Sequence, residues 1–165
     1  MAILPEPRAK MAIGAVGQWA NMEECNSFTA TAQSSFGFGI PLAKGNSNGA
    51  DLNVVPLTTA NQFVGISLSN VYTTGTANSD GQEQYGVGDI LGVADEGVIF
   101  VEAGASVTKG AKPFYEAATG RYHGATATGR LPIPGARFDG AAAAGSPVAL
   151  KFRVDPGAAN VTAAT

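Results

Sequence analysis

Val148-Ala-Leu-Lys-Phe-Arg-Val154 is the stretch on which the fold turns. Val148, Leu150, Phe152 and Val154 alternate with Ala149, Lys151 and Arg153, the two-residue period of a strand with one buried and one solvated face. Pro156 stops that strand, because proline cannot donate to a ladder, and leaves residues 156–165 as an Ala/Gly-rich C-terminal tail. Further back, Val98-Ile-Phe-Val101 is apolar on both faces, which marks a central strand where the core should concentrate. Asp89–Ala94 and Gly97–Glu102 flank Asp95-Glu96, so the sequence predicts a hairpin with an acidic tip there.

The same pattern extends toward the N-terminus in shorter pieces. Phe28–Ala32 has strand composition, and Phe36, Phe38, Ile40 and Leu42 alternate with Gly37, Gly39, Pro41 and Ala43 as one strand with a large and a bare face. Leu52–Leu57 and Gln62–Ser69 follow, with Val64, Ile66 and Leu68 sharing a face in the second. Pro113–Ala117, Arg121–His123 and Ala136–Phe138 complete the set. Turn chemistry separates them at 44–51 (KGNSNGAD), at 105–110 and at Thr119-Gly120, and residues 70–84 form a long polar loop. A helical turn or two is plausible only in Gly17–Asn26. Eight to ten short strands without a long helix predict an all-β fold, a small β-barrel or β-sandwich. Residues 1–16, with Pro5 and Pro7, read as an extended N-terminal arm, residues 17–155 as a β-rich domain, and 156–165 as the tail.

Composition limits what such a domain can bind. Charged residues are 14% of 165, the net charge is −3 and the Lys and Arg residues form no basic run, so nucleic acid is excluded as a partner. A low-charge surface suits contacts with other protein. Alanine and glycine dilute the large aliphatic residues, so the core should be modest and further stability should come from a partner or an oligomer. The single Cys25 rules out an internal disulfide framework and reads as a small hydrophobe. No apolar run approaches membrane-spanning length and the N-terminus is broken by Pro5, Pro7, Arg8 and Lys10, so a soluble chain with no membrane partner is expected.

His123 is the one histidine, expected at the surface or half-buried, and no serine lies in a Gly-x-Ser-x-Gly elbow. One Cys and one His cannot supply a zinc set. Asn46, Asn48 and Asp51 lack the spacing and closing glutamate of a calcium loop and read as turn residues. Gly86-Val-Gly88-Asp-Ile-Leu-Gly92 misses the dinucleotide spacing by one and precedes no helix. Glu23-Glu24 and Asp95-Glu96 are adjacent carboxylates of solvated turns, with only Trp19 near the first pair as a sugar platform. No catalytic, cofactor-binding or metal residue is assigned, and no cofactor or small-molecule substrate is expected.

The succession of motifs carries more. Gly17-Gln-Trp-Ala-Asn21, Phe36-Gly-Phe-Gly39, Phe63-Val-Gly-Ile-Ser67 and Tyr85-Gly-Val-Gly-Asp89-Ile-Leu are followed by Gly97-Val-Ile-Phe-Val101, Val107-Thr-Lys-Gly110 and Ile133-Pro-Gly-Ala-Arg-Phe138. In order and spacing, over residues 17–154, this resembles the head cement (decoration) proteins of tailed bacteriophages. The resemblance implies a structural virion protein without enzymatic activity that binds the major capsid protein, and other copies of itself, on the outer surface of the capsid after assembly in the host bacterial cytoplasm. A tail or baseplate module, or a small cellular binding domain, is the alternative. Gly65, Gly97, Gly110 and Gly135 of these motifs are fold residues at turns or bulges. The arm matches nothing in the family; its Ile3, Leu4, Met11, Ile13 and Val16 are expected to be disordered in solution and to order against a neighbour's sheet edge.

Overall fold

The computed structural model describes residues 14–45, 52–70, 75, 77, 81 and 83–165. The loop residues 46–51, most of the 70–84 loop and all but the last three residues of the arm lie outside them; of those three, Val16 packs on Gly39 and Gly14 faces the Phe100 ring, so Val16 belongs to the domain and not to a free arm. Five strands close a small barrel: β1 (Asn26–Ala32), β2 (Pro41–Lys44), β3 (Asn53–Pro56), β4 (Phe63–Ser67) and β5 (Ile90–Glu102), in the order β1-β3-β2-β4-β5 with β5 pairing back to β1. β1 and β3 run parallel, and the other barrel pairings are antiparallel. β5 then leaves the barrel and continues as the centre of a second layer. It pairs with β10 (Pro147–Arg153), which pairs with β9 (Ala136–Phe138). A three-stranded sheet, β7 (Arg121–His123)–β6 (Phe114–Glu116)–β8 (Leu131–Pro132), completes that layer.

The apolar residues divide accordingly. Ala30, Ala32, Phe36, Leu42, Val54, Tyr85, Leu91 and Val93 fill the barrel. A larger cluster, including Phe63, Ile66, Ile99, Val101, Tyr122, Phe138, Leu150 and Phe152, lies between the barrel wall and the second layer. Small residues place it there, since Ala43 and Ala94 on the barrel wall are fully buried and let the second layer approach closely. Tyr122 ties the layers together by donating its hydroxyl to the Gly39 carbonyl at 2.9 Å, and burial, reinforced by Tyr115, raises its pKa well above the usual value. The tail lies along the domain: Val161 is buried, exchanges backbone hydrogen bonds with Ala60 and Asn61, and Ala164 does the same with Gly129 and Arg130.

The final strand has the predicted alternation, with Val148, Leu150 and Phe152 buried and Lys151 and Arg153 facing outward. Four local expectations are corrected. Asp95-Glu96 is not a hairpin tip: β5 runs straight through it for 13 residues, with Glu96 in register with Arg153. A two-residue hairpin needs positive φ at its tip, and only the following Gly97 has it, at +136°. Gly17–Asn26 forms no helical turn, because its backbone bonds are spent on β5: Gly17 N donates to Phe100 O, Phe100 N to Gln18 O and Ala20 N to Val98 O. The 36–43 strand is interrupted, since Phe36 bridges to Tyr85 and Gly39 turns the chain at φ +67° before β2 begins. Finally, Val64, Ile66 and Leu68 do not share a face. Leu42 opposes Gly65 and Ala43 opposes Phe63, so a bulge leaves Val64 against the barrel interior while Ile66 and Leu68 join the larger cluster.

Candidate interaction surfaces

His123 is buried, not at the surface or half-buried, and the polar side chains that meet it lie within seven positions of it in sequence. Its Nε2 stands 3.2 Å from Glu116 Oε2, across the β6–β7 pair. Glu116 also accepts the Thr119 hydroxyl at 2.7 Å and lies 3.9 Å from Arg130 Nε. The Thr119 bond first, then His123 and Arg130, hold the Glu116 carboxyl below its ordinary value. Gly104 makes room for the imidazole, since a Cβ there would strike the ring. The group buckles β6, β7 and the start of β8 together. The strands on either side of the Thr119-Gly120 turn were legible, but not the register that brings Glu116 to His123, nor the approach of Arg130.

Glu23 and Glu24 are exposed, whereas Asp95 is half-buried and accepts from Asn26 Nδ2 at 3.1 Å. Glu23 sits 3.9 Å from Lys151 and Glu96 3.5 Å from Arg153, along one lip of a groove of 690 Å³ walled by Pro113, Pro132 and Pro134. Trp19 covers Gly97 on the neighbouring surface and bridges to Ile99. Cys25 is half-buried and free. Among the described residues no three His, Cys, Asp or Glu side chains gather as a metal set.

Gly86–Gly92 resolves as a tight turn leading into β5. Asp89 N donates to Gly86 O at 3.2 Å, and Gly86 N donates to Asp89 Oδ2 at 2.8 Å. Gly88, at φ +90°, donates to Ala32 O, and Ala32 N donates to Asp89 O, so the turn is stitched to the end of β1. Beneath it Tyr85 donates to Leu68 O at 2.6 Å, with a pKa raised to about 12 by burial and then by the Asp89 charge. This rigid frame displays two aliphatic side chains to solvent: Val87 is 71% exposed and Ile90 66%. Ile90 stands in register with Thr31 on β1. The Gly-x-Gly spelling drew attention to the turn, but not to the residues that the glycines present.

The chain has relatives in sequence and in fold. A sequence model of the structural cement protein family, exemplified by E217 gp24 and Pam3 gp6, matches residues 7–153, so the likeness begins before residue 17 and takes in the later part of the arm, contrary to the expectation that the arm matches nothing in the family. The chain belongs to the phage structural cement proteins. Its fold is that of a chain in the capsid of Myoviridae phage XM1, with a TM-score of 0.64 at 15% identity over 93% of this chain and 98% of that one. It is also similar to the N-terminal base of the bacteriophage phi29 head fibre gp8.5, with a TM-score of 0.50 at 15% identity over 78% and 93% of the two chains. No curated protein matches it in sequence. This cement protein is therefore a structural component of the virion, associated with the capsid, and the all-β expectation and the resemblance both hold.

Proposed function

We propose that this cement protein binds the outer surface of the assembled head through the major capsid protein, adjoins further copies of itself, and reinforces the shell without catalysing a reaction. The observation that carries the reading is the family match across residues 7–153. The fold supports it. A closed barrel joined to a second layer by one continuous strand presents broad, rigid faces, which suit repeated docking on a lattice. The neighbours from a phage capsid and a head fibre base point the same way. The arm supplies a second means of attachment, through strand addition along a neighbouring chain.

The test uses heads that lack the protein. Purified protein should cosediment with them to saturation and raise the temperature at which they release DNA. Failure of the intact chain to bind heads, with binding to tails or baseplates instead, would overturn the proposal in favour of another structural part of the virion.

A further inference from the structure

The β1–β4 segment is poor in charge, whereas β5 carries Asp95 and Glu96 and is preceded by Glu83 and Asp89. Every ion pair among the described residues lies outside the β1–β4 segment: Lys109–Asp139, Arg121–Glu102, His123–Glu116, Arg130–Glu116, Lys151–Glu23 and Arg153–Glu96. From Asn26 to Ser79 the sequence carries only Lys44 and Asp51, out of ten Lys and Arg and thirteen Asp and Glu in the chain. The strands of that stretch are four of the five in the barrel. On β1 the residues that alternate with buried Ala30 and Ala32 are Thr29 and Thr31, uncharged and pointing outward. Beside Thr31 stand Ile90, in register on β5, and Asn53, in register on β3.

We propose that the uncharged β1–β4 wall of the barrel, with Val87, Ile90 and Thr31 at the end where β1 meets the start of β5, is the face that the cement protein lays on the capsid shell, leaving the ion-paired second layer in water. The inference rests on the cement reading and adds the orientation, which that reading leaves open. A protein held on a shell has one side dehydrated and one wet. A dehydrated side bears unpaired charge poorly, whereas a wet side tolerates exposed salt bridges at little energetic gain or loss. The observed partition matches that requirement.

A single exposed aliphatic residue needs no explanation. Val87 and Ile90 are different, because they stand three residues apart on a turn fixed by Asp89, Ala32 and the Phe36–Tyr85 bridge. Their display costs no ordering when a partner arrives, which is the property of a docking anchor. At Thr31, β1 is paired on both sides, to Asn53 and to Ile90, so the contact there is by side-chain packing and not by strand addition. The partner surface is accordingly an uncharged protein face with an apolar recess for the two anchors.

The experiment compares Val87→Asp and Ile90→Lys with Lys112→Glu and Arg137→Glu, exposed positions of the second layer, in cosedimentation with decoration-free heads. Thermal melting checks that all four fold. The neutral-wall variants should lose affinity on the order of a hundredfold or more, as expected for a charge buried without a partner, while the second-layer variants saturate heads like the wild type. Wild-type affinity should also change little with salt, because the contact holds no ion pair. Wild-type binding by the wall variants, or loss of binding by the second-layer variants, would overturn the orientation. Wall variants that saturate heads but lose self-association would assign the wall to a second copy and overturn it as well. Failure of the wild type to bind heads would overturn the cement reading itself, and the orientation with it.

Discussion

Phe152→Ala probes the interface between barrel and second layer more directly than any other substitution. Phe152 is 2% exposed, and its ring meets Phe63 of β4 edge-on at a centroid distance of 6.2 Å. The side chain thus joins a strand of the outer layer to a strand of the barrel. Truncation removes the transfer free energy of a buried ring and leaves a cavity that the closed barrel wall cannot collapse into, which together cost about 3–5 kcal/mol. In a chain of this length that corresponds to a drop of roughly 6–20 °C in melting temperature. Lys151→Ala is the control. Its side chain points the other way and is 3.9 Å from Glu23, an exposed pair contributing about 0–1 kcal/mol. Differential scanning calorimetry of both variants and of Phe63→Ala completes the measurement; the double variant should show a coupling of about 0.5–1.5 kcal/mol from the ring pair. Equal shifts for Phe152→Ala and Lys151→Ala, or strict additivity of the two phenylalanine truncations, would show that the two layers do not meet as described.

Acid should weaken the β6–β7–β8 sheet through Glu116, whose carboxyl is held below the ordinary 4.5 in the folded protein. A lowered folded pKa contributes stability that is fully present above 4.5 and lost as pH falls through the folded value; the melting-temperature advantage of wild type over Glu116→Gln should therefore shrink below about pH 4.5. His123→Ala should melt lower than wild type yet still saturate heads, since the residue buckles a sheet and faces no partner; loss of head binding in a folded variant would contradict this. Gly65→Ala places a methyl against the Ala94 carbonyl at φ +153° and should destabilise the bulge by at least about 1–3 kcal/mol, seen as a fall in denaturant midpoint. Deleting residues 2–13, which spares the packing of Val16 on Gly39, should leave the melting temperature within a few degrees and weaken attachment to heads; a large fall in stability with undiminished binding would place the arm in the domain's own core.

The strands were legible wherever one face was dry and the other wet. β10 shows this most clearly, since Val148, Leu150 and Phe152 alternate with outward residues in sequence and in space. The readings that failed concern residues with partners on both sides. Asp95-Glu96 has turn composition, yet pairing with Arg153 on one edge and Asn26 on the other keeps it extended, and a local pattern does not contain those partners. The same holds at Gly17–Ala20, whose hydrogen bonds go to a strand some 80 residues away. Val64 moved to the other face because a bulge shifts parity by one residue, and Gly65 alone does not tell a bulge from a turn. The proposed docking wall was half legible. Low charge was visible in the composition, but its concentration on one face required the closure of β1 onto β5.

The course of β5 has a mechanical meaning. Its first half is a stave of the barrel and its second half the spine of the outer layer, so the two are joined by covalent backbone and not by a linker. A pull between the two layers enters the barrel along the strand axis. There it loads the β1 and β4 ladders in shear, with many hydrogen bonds resisting together, where a hinge would let them unzip one at a time.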